Sequence, residues 1–431
     1  MKMVLKSDIP EATRLFSNLE LYGNKLSHQP GSVLGSTALV AGTTIGAGIL
    51  ALPAVTLPSG VVPSTVLLIA VWLYALVSGL LIAEVTLNTM RRVGRPSLGL
   101  LVMVESTLGS LGARIAGGAY LFLHYALLVA YVAQGGNILL SAVEKVWGMQ
   151  NVLPAWVGTT AFTLLFGGIM YLGREKFIEK LNSAFVAIVL ISFAGLLFLG
   201  STHLETSSFF FQDWRALPPA ISVMFVALFY HNVIPTIVGQ LEGDARKVRQ
   251  SIIIGSAIPL VMFLAWNAVI LGSVSIDTIQ IASGSKTFDP LEILRSGGAG
   301  EWLGVLISIF SEFAIATSFI GFVYGLLDFF KDISSVSPND PSKRLPLYSL
   351  ILLPPLSLSA LNPNIFLTAL DYVGTFSVSV LGGIVPALMS WKQRQESEGS
   401  NSMAQPLVPG GKVTLVVMMG VALAVMGKQF L

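Results

Sequence analysis

The run Gly42-Thr43-Thr44-Ile45-Gly46-Ala47-Gly48 places three glycines and two hydroxyls inside the first long apolar stretch of the chain. Each glycine lowers helix stability by up to about 1 kcal/mol relative to alanine, so this stretch is poorly suited to an unbroken helix. A break frees backbone groups. The N–H groups of the half resuming after Gly46 face outward with the positive end of the helix dipole, and the carbonyls ending the half before Gly42 are left as acceptors. A second interruption comes at Phe229-Tyr230-His231-Asn232, where Pro235 lacks a donor and crowds the turn before it. Five ionisable residues, Glu84, His124, His231, Glu312 and Asp371, lie within apolar stretches, where an unpaired charge is costly. Histidine, and glutamate when desolvated, can change charge in a working pH range. A plainer role for Gly42 and Gly46, four residues apart, is close helix packing through small residues.

The elements that position these groups are membrane spans. Of 431 residues, 54% are hydrophobic and only 11% charged, with a mean hydropathy of +0.77. A span takes about 20 mostly apolar residues, and eleven such runs are found near 32–58, 62–88, 115–143, 154–173, 181–200, 217–241, 250–274, 301–327, 346–361, 364–390 and 411–430. Cytoplasmic loops collect Lys and Arg. With the N-terminus inside, eleven crossings put 20 basic residues on the inner side and 5 on the outer side, the latter being Lys145, Arg215, Lys286, Arg295 and Lys428. One missed or invented helix would scramble that alternation. The formal net charge of +2 therefore reflects orientation and points to no nucleic-acid partner. Glu84, four residues from the inner end of its span, is placed to snorkel to the surface. Asp371 falls in an outer half and could gate access.

Residues 1–31 read as a polar cytoplasmic segment without the apolar core of a secretory signal. Ser97–Leu111 is apolar but too short to cross, and is expected to lie as a helix on the inner surface. The loops Thr202–Arg215, Ile276–Gly300, Lys331–Arg344 and Trp391–Gly411 are too short and polar for a soluble domain. Zero cysteines exclude disulfides and thiolate metal sites. No catalytic constellation is present: there is no paired-histidine metal motif and no nucleophile elbow, and the first glycine run lacks the lysine and hydroxyl of a phosphate loop. No enzyme activity, cofactor or metal is expected. An ion channel, the other membrane class, would show a repeated filter or a charged ring.

Spans one and six, the two interrupted ones, are the first members of two five-helix halves, 32–200 and 217–390, followed by a cytoplasmic loop at 391–410 and an eleventh helix at 411–431. An odd number of helices per half inserts the halves in opposite orientation, the inverted-repeat plan in which broken helices meet at the midplane. The motifs carry this further. Gly42–Pro53 (GTTIGAGILALP) resembles the first-helix signature of the tryptophan/tyrosine permease family of the amino acid/polyamine/organocation transporters. Phe229–Ile237 (FYHNVIPTI) is similar to the family's sixth-helix motif, departing from it at Tyr230 and Asn232. Ala316–Gly321 with Gly325–Phe329 resembles its eighth helix and exit. The blocks occur in order over nearly the whole chain from about residue 31.

The resemblance implies an all-α, leucine-transporter-like membrane fold and a secondary active transporter for an amino acid, aromatic in kind, coupled to protons. A zwitterion needs donors for its carboxylate, which the half-helix beginning at Gly46, Ala47 and Gly48 would supply, and acceptors for its ammonium. Thr43 and Thr44 can assist either role. Phe229, Tyr230, Asn232 and Phe319 are candidates against the ligand side chain, with His231 at the break. His231, Glu312 and His124 are the candidate proton sites. Thr317 and Ser318 stand where related folds hold sodium, so sodium coupling and broader amino acid specificity remain the alternatives. The membrane is a plasma or inner membrane or, in a plant, a chloroplast envelope.

Overall fold

The computed structural model describes residues 14–22, 25–28, 31–46, 48–93, 99–148, 153–202, 204, 206–274, 301–334, 341–398 and 406–430. Among them, ten helices are long and apolar enough to cross a membrane. The pair α1 (Val33–Thr44) and α2 (Gly48–Thr56), bent by 51°, makes an eleventh when counted as one span. Then come α3 (Val61–Val93), α4 (Leu100–Val146), α5 (Ala155–Leu172) and α6 (Glu175–Ser201). The sixth span is split into α7 (Pro218–Ala227) and α8 (Ile234–Gln240), followed by α9 (Ala245–Gly272) and α10 (Glu301–Ser334). α11 (Pro341–Leu361), α12 (Phe366–Ser397) and α13 (Gly411–Gly427) complete the chain. This is the all-α polytopic architecture that composition demands. The Ile276–Gly300 loop lies outside the described residues.

Both interruptions have local causes. Ser32 caps α1, its hydroxyl accepting from the Gly35 N–H at 2.9 Å, and the helix stops at Ile45, whose N–H reaches Ala41 at 2.9 Å. Pro53, inside α2, leaves the Ile49 carbonyl without its usual donor. The indole of Trp266 on α9 supplies one at 3.0 Å. In the sixth span, Pro235 lies beyond the break and not in it. The helix ends at Leu228, a 3-10 turn covers His231–Val233, and Pro235 takes the first turn of α8, where a missing N–H leaves nothing unsatisfied.

Three other features bear on the expectations. The segment expected as a surface helix over Ser97–Leu111 is helical from Leu100, and a kink at Gly109 (φ 78°, ψ −176°) sets it off from the third span that follows; Ser97 and Leu98 lie outside the described residues. The N-terminal region, read as a polar cytoplasmic segment, contains an antiparallel hairpin, β1 (Leu19–Tyr22) and β2 (Lys25–His28), with Leu19 opposite His28. Glu84 does not snorkel. It is 1% exposed, held by Arg394 of α12 through two bonds of 2.7 and 2.8 Å, by the Ser390 hydroxyl at 2.8 Å and by the Leu407 N–H at 2.8 Å. Arg394 lies just past the apolar end of its span, close enough to α3 to make pairing cheaper than exposure.

The spans differ in how much they are enclosed. Of the most apolar window, 78% is buried inside the protein in α12 and 72% in the α7–α8 span, against 22% in α13. The sixth and tenth spans are thus central and α13 faces outward. α1 packs on α9, α2 on α7, and α10 on both α6 and α4. Trp266, Phe310 and Phe193 form an aromatic knot where α9, α10 and α6 meet, with Trp266 and Phe310 centroids 5.2 Å apart.

Candidate substrate cavity at the two helix breaks

The ends of the broken spans border a cavity of about 40 Å³. Thr43, Thr44, Gly46 and Gly48 come to it from the first span, and Val226, Ala227 and Phe229 from the sixth. Ser318 and Phe322 of α10, Leu123, Leu127 and Tyr131 of α4, and Val378 of α12 close it. As it stands the cavity has room for about three waters.

The polar wall is built from back-bonded hydroxyls. Thr43 and Thr44 each donate to the carbonyl four residues earlier, Leu39 and Val40, at 2.8 Å. Ser318 donates to Ala314 at 2.9 Å, and Thr317 to the same carbonyl at 3.0 Å. With their protons committed, the Thr43 and Thr44 oxygens present lone pairs, which suits a cationic or donor group, while the Ser318 hydroxyl also meets that of Tyr131. The opposite character comes from the start of α2 at Gly48, although its Ile49 N–H is tied back to the Gly46 carbonyl at 3.2 Å.

The glycines permit close approach as well as access. A Cβ on Gly46 would lie 2.7 Å from the Ser318 hydroxyl, and one on Gly48 would lie 2.8 Å from the Ala227 Cα. The first is a side-chain end that can rotate; the second is backbone that cannot. Gly42, by contrast, is exposed with nothing within 4 Å of where its Cβ would stand. Ala47 lies outside the described residues.

Other expected site residues lie behind the cavity wall. Tyr230 is fully buried and donates to the Ala75 carbonyl of α3 at 3.2 Å. Phe319 packs edge-on against Phe162 of α5 at 5.4 Å, one helix face away from the lining residue Phe322. Asn232 is exposed and does not line the cavity. His231, 2% exposed, stacks between Phe229 and Tyr230 at 4.9 and 5.1 Å. Both its ring nitrogens lack a hydrogen-bond partner among the described residues. The Ala75 carbonyl lies beside the imidazole but receives the Tyr230 hydroxyl. Gly382 of α12, in a π-helical turn (Val380–Ile384), faces the ring.

His124 bonds through Nδ1 to the Tyr120 carbonyl at 2.9 Å and stacks on the Tyr120 ring at 3.9 Å. Its Nε2 side faces Gly325 of α10, where a Cβ would come within 2.5 Å. Glu312 lies on α10 nearly two turns before Ser318, with both carboxylate oxygens shut off from solvent. Asp371 accepts from Ser222 of α7 and lies 3.7 Å from Lys428, which follows α13.

Reading the sequence missed Leu123, Leu127, Tyr131, Val226, Ala227, Phe322 and Val378. Only Phe322, one turn after Ser318, could have been found from spacing. A second cavity, of about 350 Å³, lies between α6 and α10 and is lined by Ile178, Glu179, Asn182, Ile320, Gly321 and Tyr324. α10 thus borders both cavities in successive turns.

Many apolar helices around a polar, glycine-edged cavity define a multi-pass integral membrane protein. The chain belongs to the tryptophan/tyrosine permease family, whose model matches residues 29–428, and is therefore a transporter and not an enzyme. It is 28% identical to tyrosine-specific transport system 1 of Haemophilus influenzae over 390 residues, 90% of this chain and 93% of that one. It is 28% identical to the tryptophan-specific transport protein of the same organism (85% and 88% covered) and 25% identical to glutamine transporter 2 of Aliivibrio fischeri (89% and 95% covered).

Proposed function

We propose that the protein is a proton-coupled symporter of amino acids whose substrates are aromatic, tyrosine or tryptophan. One observation carries this reading: both broken spans end at one cavity, where hydroxyl lone pairs and the start of a half-helix face a wall of Phe229, Phe322 and Tyr131. The ligand carboxylate sits at the beginning of α2, by Gly46, Ala47 and Gly48, where the helix dipole favours it. Its ammonium is taken by Thr43, Thr44 and the carbonyls ending α1. Its ring displaces the aromatic wall. Relatives named for tyrosine and tryptophan support the aromatic side chain. The relative named for glutamine keeps broader specificity as the alternative.

The two five-helix halves, 32–200 and 217–390, act as an inverted repeat whose first helices carry the breaks. For coupling, His231 is the leading proton carrier, since its buried ring stands beside the Ala75 carbonyl with neither nitrogen committed to a well-formed hydrogen bond among the described residues, and it adjoins Phe229 of the cavity wall. Glu312 and His124 follow. Sodium coupling has its own support: Thr317 and Ser318 converge with their oxygens on the Ala314 carbonyl, a set of hard oxygens suited to that ion.

The test is uptake by purified protein in liposomes against a panel of amino acids, with proton and sodium gradients imposed separately. An inward proton gradient should drive accumulation of tyrosine or tryptophan, and His231→Ala should lose gradient-driven accumulation while keeping exchange. Accumulation driven by sodium alone would move coupling to Thr317 and Ser318. Uptake that neither saturates nor shows counterflow would point to a channel.

A further inference from the structure

The N-terminal segment is bound to a single turn on the inner side of the molecule. The turn, Glu242-Gly243, follows α8. Glu242 is the one described non-glycine residue at positive φ, 56°, a conformation in which glycine or asparagine is at ease and glutamate is not. Its carboxylate is 6% exposed. It accepts from the Asn18 N–H at 2.7 Å, lies 2.6 Å from His28 Nε2, and is 3.5 Å from Arg14 Nη1. Its carbonyl accepts from the N–H groups of Leu15 and Phe16 at 2.8 and 3.4 Å. The hairpin register explains the convergence, because pairing Leu19 with His28 puts Asn18 and His28 side by side at its open end.

The same segment also clasps the last residue of α8. Asn18 Nδ2 donates to the Gly239 and Gln240 carbonyls, both at 3.3 Å, and the Gly31 N–H donates to Gln240 at 3.1 Å. A side chain on Gly31 would come within 2.3 Å of that carbonyl. One residue later Ser32 caps α1, and Ser36 of α1, 1% exposed, reaches Gln240 Oε1 at 3.4 Å. α1 ends at the cavity with Thr43 and Thr44, while α8 starts just past Phe229 and His231. The clasp therefore ties together the far ends of two half-helices, α1, which ends in the cavity wall, and α8, which starts just beyond it.

We propose that the docked residues Arg14–Asn18, His28 and Gly31 form a cytoplasmic latch that must let go of Glu242 before the cavity can discharge its ligand inward, and that His28 sets its grip. This rests on the carrier reading above. His28 Nε2 lies between opposite charges: the Glu242 carboxylate at 2.6 Å and the Arg14 guanidinium at 3.1 Å. One ring nitrogen cannot both donate to the first and accept from the second. A protonated ring commits to Glu242, and Arg14 keeps the other carboxylate oxygen. The remaining charges nearby, Asp244 and Lys247 at the start of α9, pair with each other at 3.7 Å, Asp244 also capping that helix; Lys25 belongs to the hairpin itself. Acid on the latch side thus tightens the latch.

The test has two readouts. In a Ser36→Cys variant, the thiol lies under the clasp, and an impermeant maleimide applied from the latch side should label it slowly. Adding Glu242→Gln, His28→Ala or Gly31→Val should each speed labelling. In oriented proteoliposomes, counterflow of radiolabelled tyrosine should slow when the latch-side pH is lowered from about 8 to about 6, the range in which histidine changes charge. The expected change is about two- to five-fold, the weight of a partly exposed ion pair. The three substitutions should flatten that response with substrate affinity unchanged. If Glu242→Gln fails to insert, His28→Ala and Gly31→Val carry the result. Unchanged labelling and an unchanged pH response in these variants would overturn the latch. Faster labelling with no counterflow of any amino acid would overturn the carrier reading instead.

Discussion

Gly46→Ala is the substitution that separates two uses of the glycine run. The added methyl would stand 2.7 Å from the Ser318 hydroxyl but 3.9 Å from the Ser318 Cβ, so the collision is with one atom. The hydroxyl has to swing away from Ala314, losing a bond of about 0.5–1.5 kcal/mol, and into a cavity that has little spare room. A total near 1–2 kcal/mol corresponds to a roughly five- to thirty-fold loss of affinity. Ser318→Ala removes the colliding atom, and the new methyl then makes an ordinary contact. Ligand affinity should be measured by equilibrium binding in detergent, without sodium, for the native protein, both single variants and the double. The double variant should recover about 1 kcal/mol relative to the sum of the singles. Additive losses would refute the steric account and leave the ligand itself as the neighbour of Gly46.

Two further outcomes follow from the charges. Glu84→Ala should lower thermal stability in detergent by about 3 kcal/mol, since it strands Arg394 with its partner gone; Arg394→Ala in the same chain should return part of that loss, and an unchanged melting temperature for Glu84→Ala would contradict the buried pair. An impermeant thiol reagent should reach a cysteine at Ser283 from outside and one at Ser335 from inside, the native chain having no cysteine of its own; labelling of both from one side would contradict eleven crossings.

The spans were legible because the bilayer forces backbone groups to be satisfied within each segment, and hydropathy reads that directly. Which spans are central was not. The most apolar windows of α12 and α13 have similar mean hydropathies, 1.6 and 1.8, yet 78% and 22% of them are buried in protein. Lipid and protein core are alike to a leucine. The same indifference hid Leu123, Leu127 and Val378 in the cavity wall. The break in the first span could be located because glycines weaken the helix wherever the chain later packs. The sixth break falls at Phe229–Asn232 as the sequence places it, while Pro235 opens the helix beyond it, because a proline starts a helix as readily as it stops one. Tyr230 and Phe319 were drawn toward the ligand by their chemistry, whereas Ala75 and Phe162, contacts distant in sequence, hold them elsewhere. Glu84 was misread for the same reason: its partner is 310 residues away.

The latch has an acid limit set by Glu242 itself. Burial raises this carboxyl group's pKa, but the Asn18 N–H, the His28 ring and Arg14 together outweigh that and hold it below the ordinary carboxylate range. A pKa depressed on docking means that the docked state gains from the ionised form. That gain is complete above the undocked pKa, about 4.3 for a glutamate, and is lost as pH falls through the lower docked value. A protonated His28 ring acts in the opposite sense, donating to the carboxylate and tightening the grip. Labelling of Ser36→Cys against latch-side pH should therefore pass through a minimum in mildly acid solution and rise on both sides, after correction for the intrinsic reactivity of a thiol. His28→Ala should erase the rise toward alkaline pH and leave the acid one, whereas Glu242→Gln should erase both. A corrected profile that changes in one direction only across the whole range would mean that Glu242 and His28 do not control the same contact.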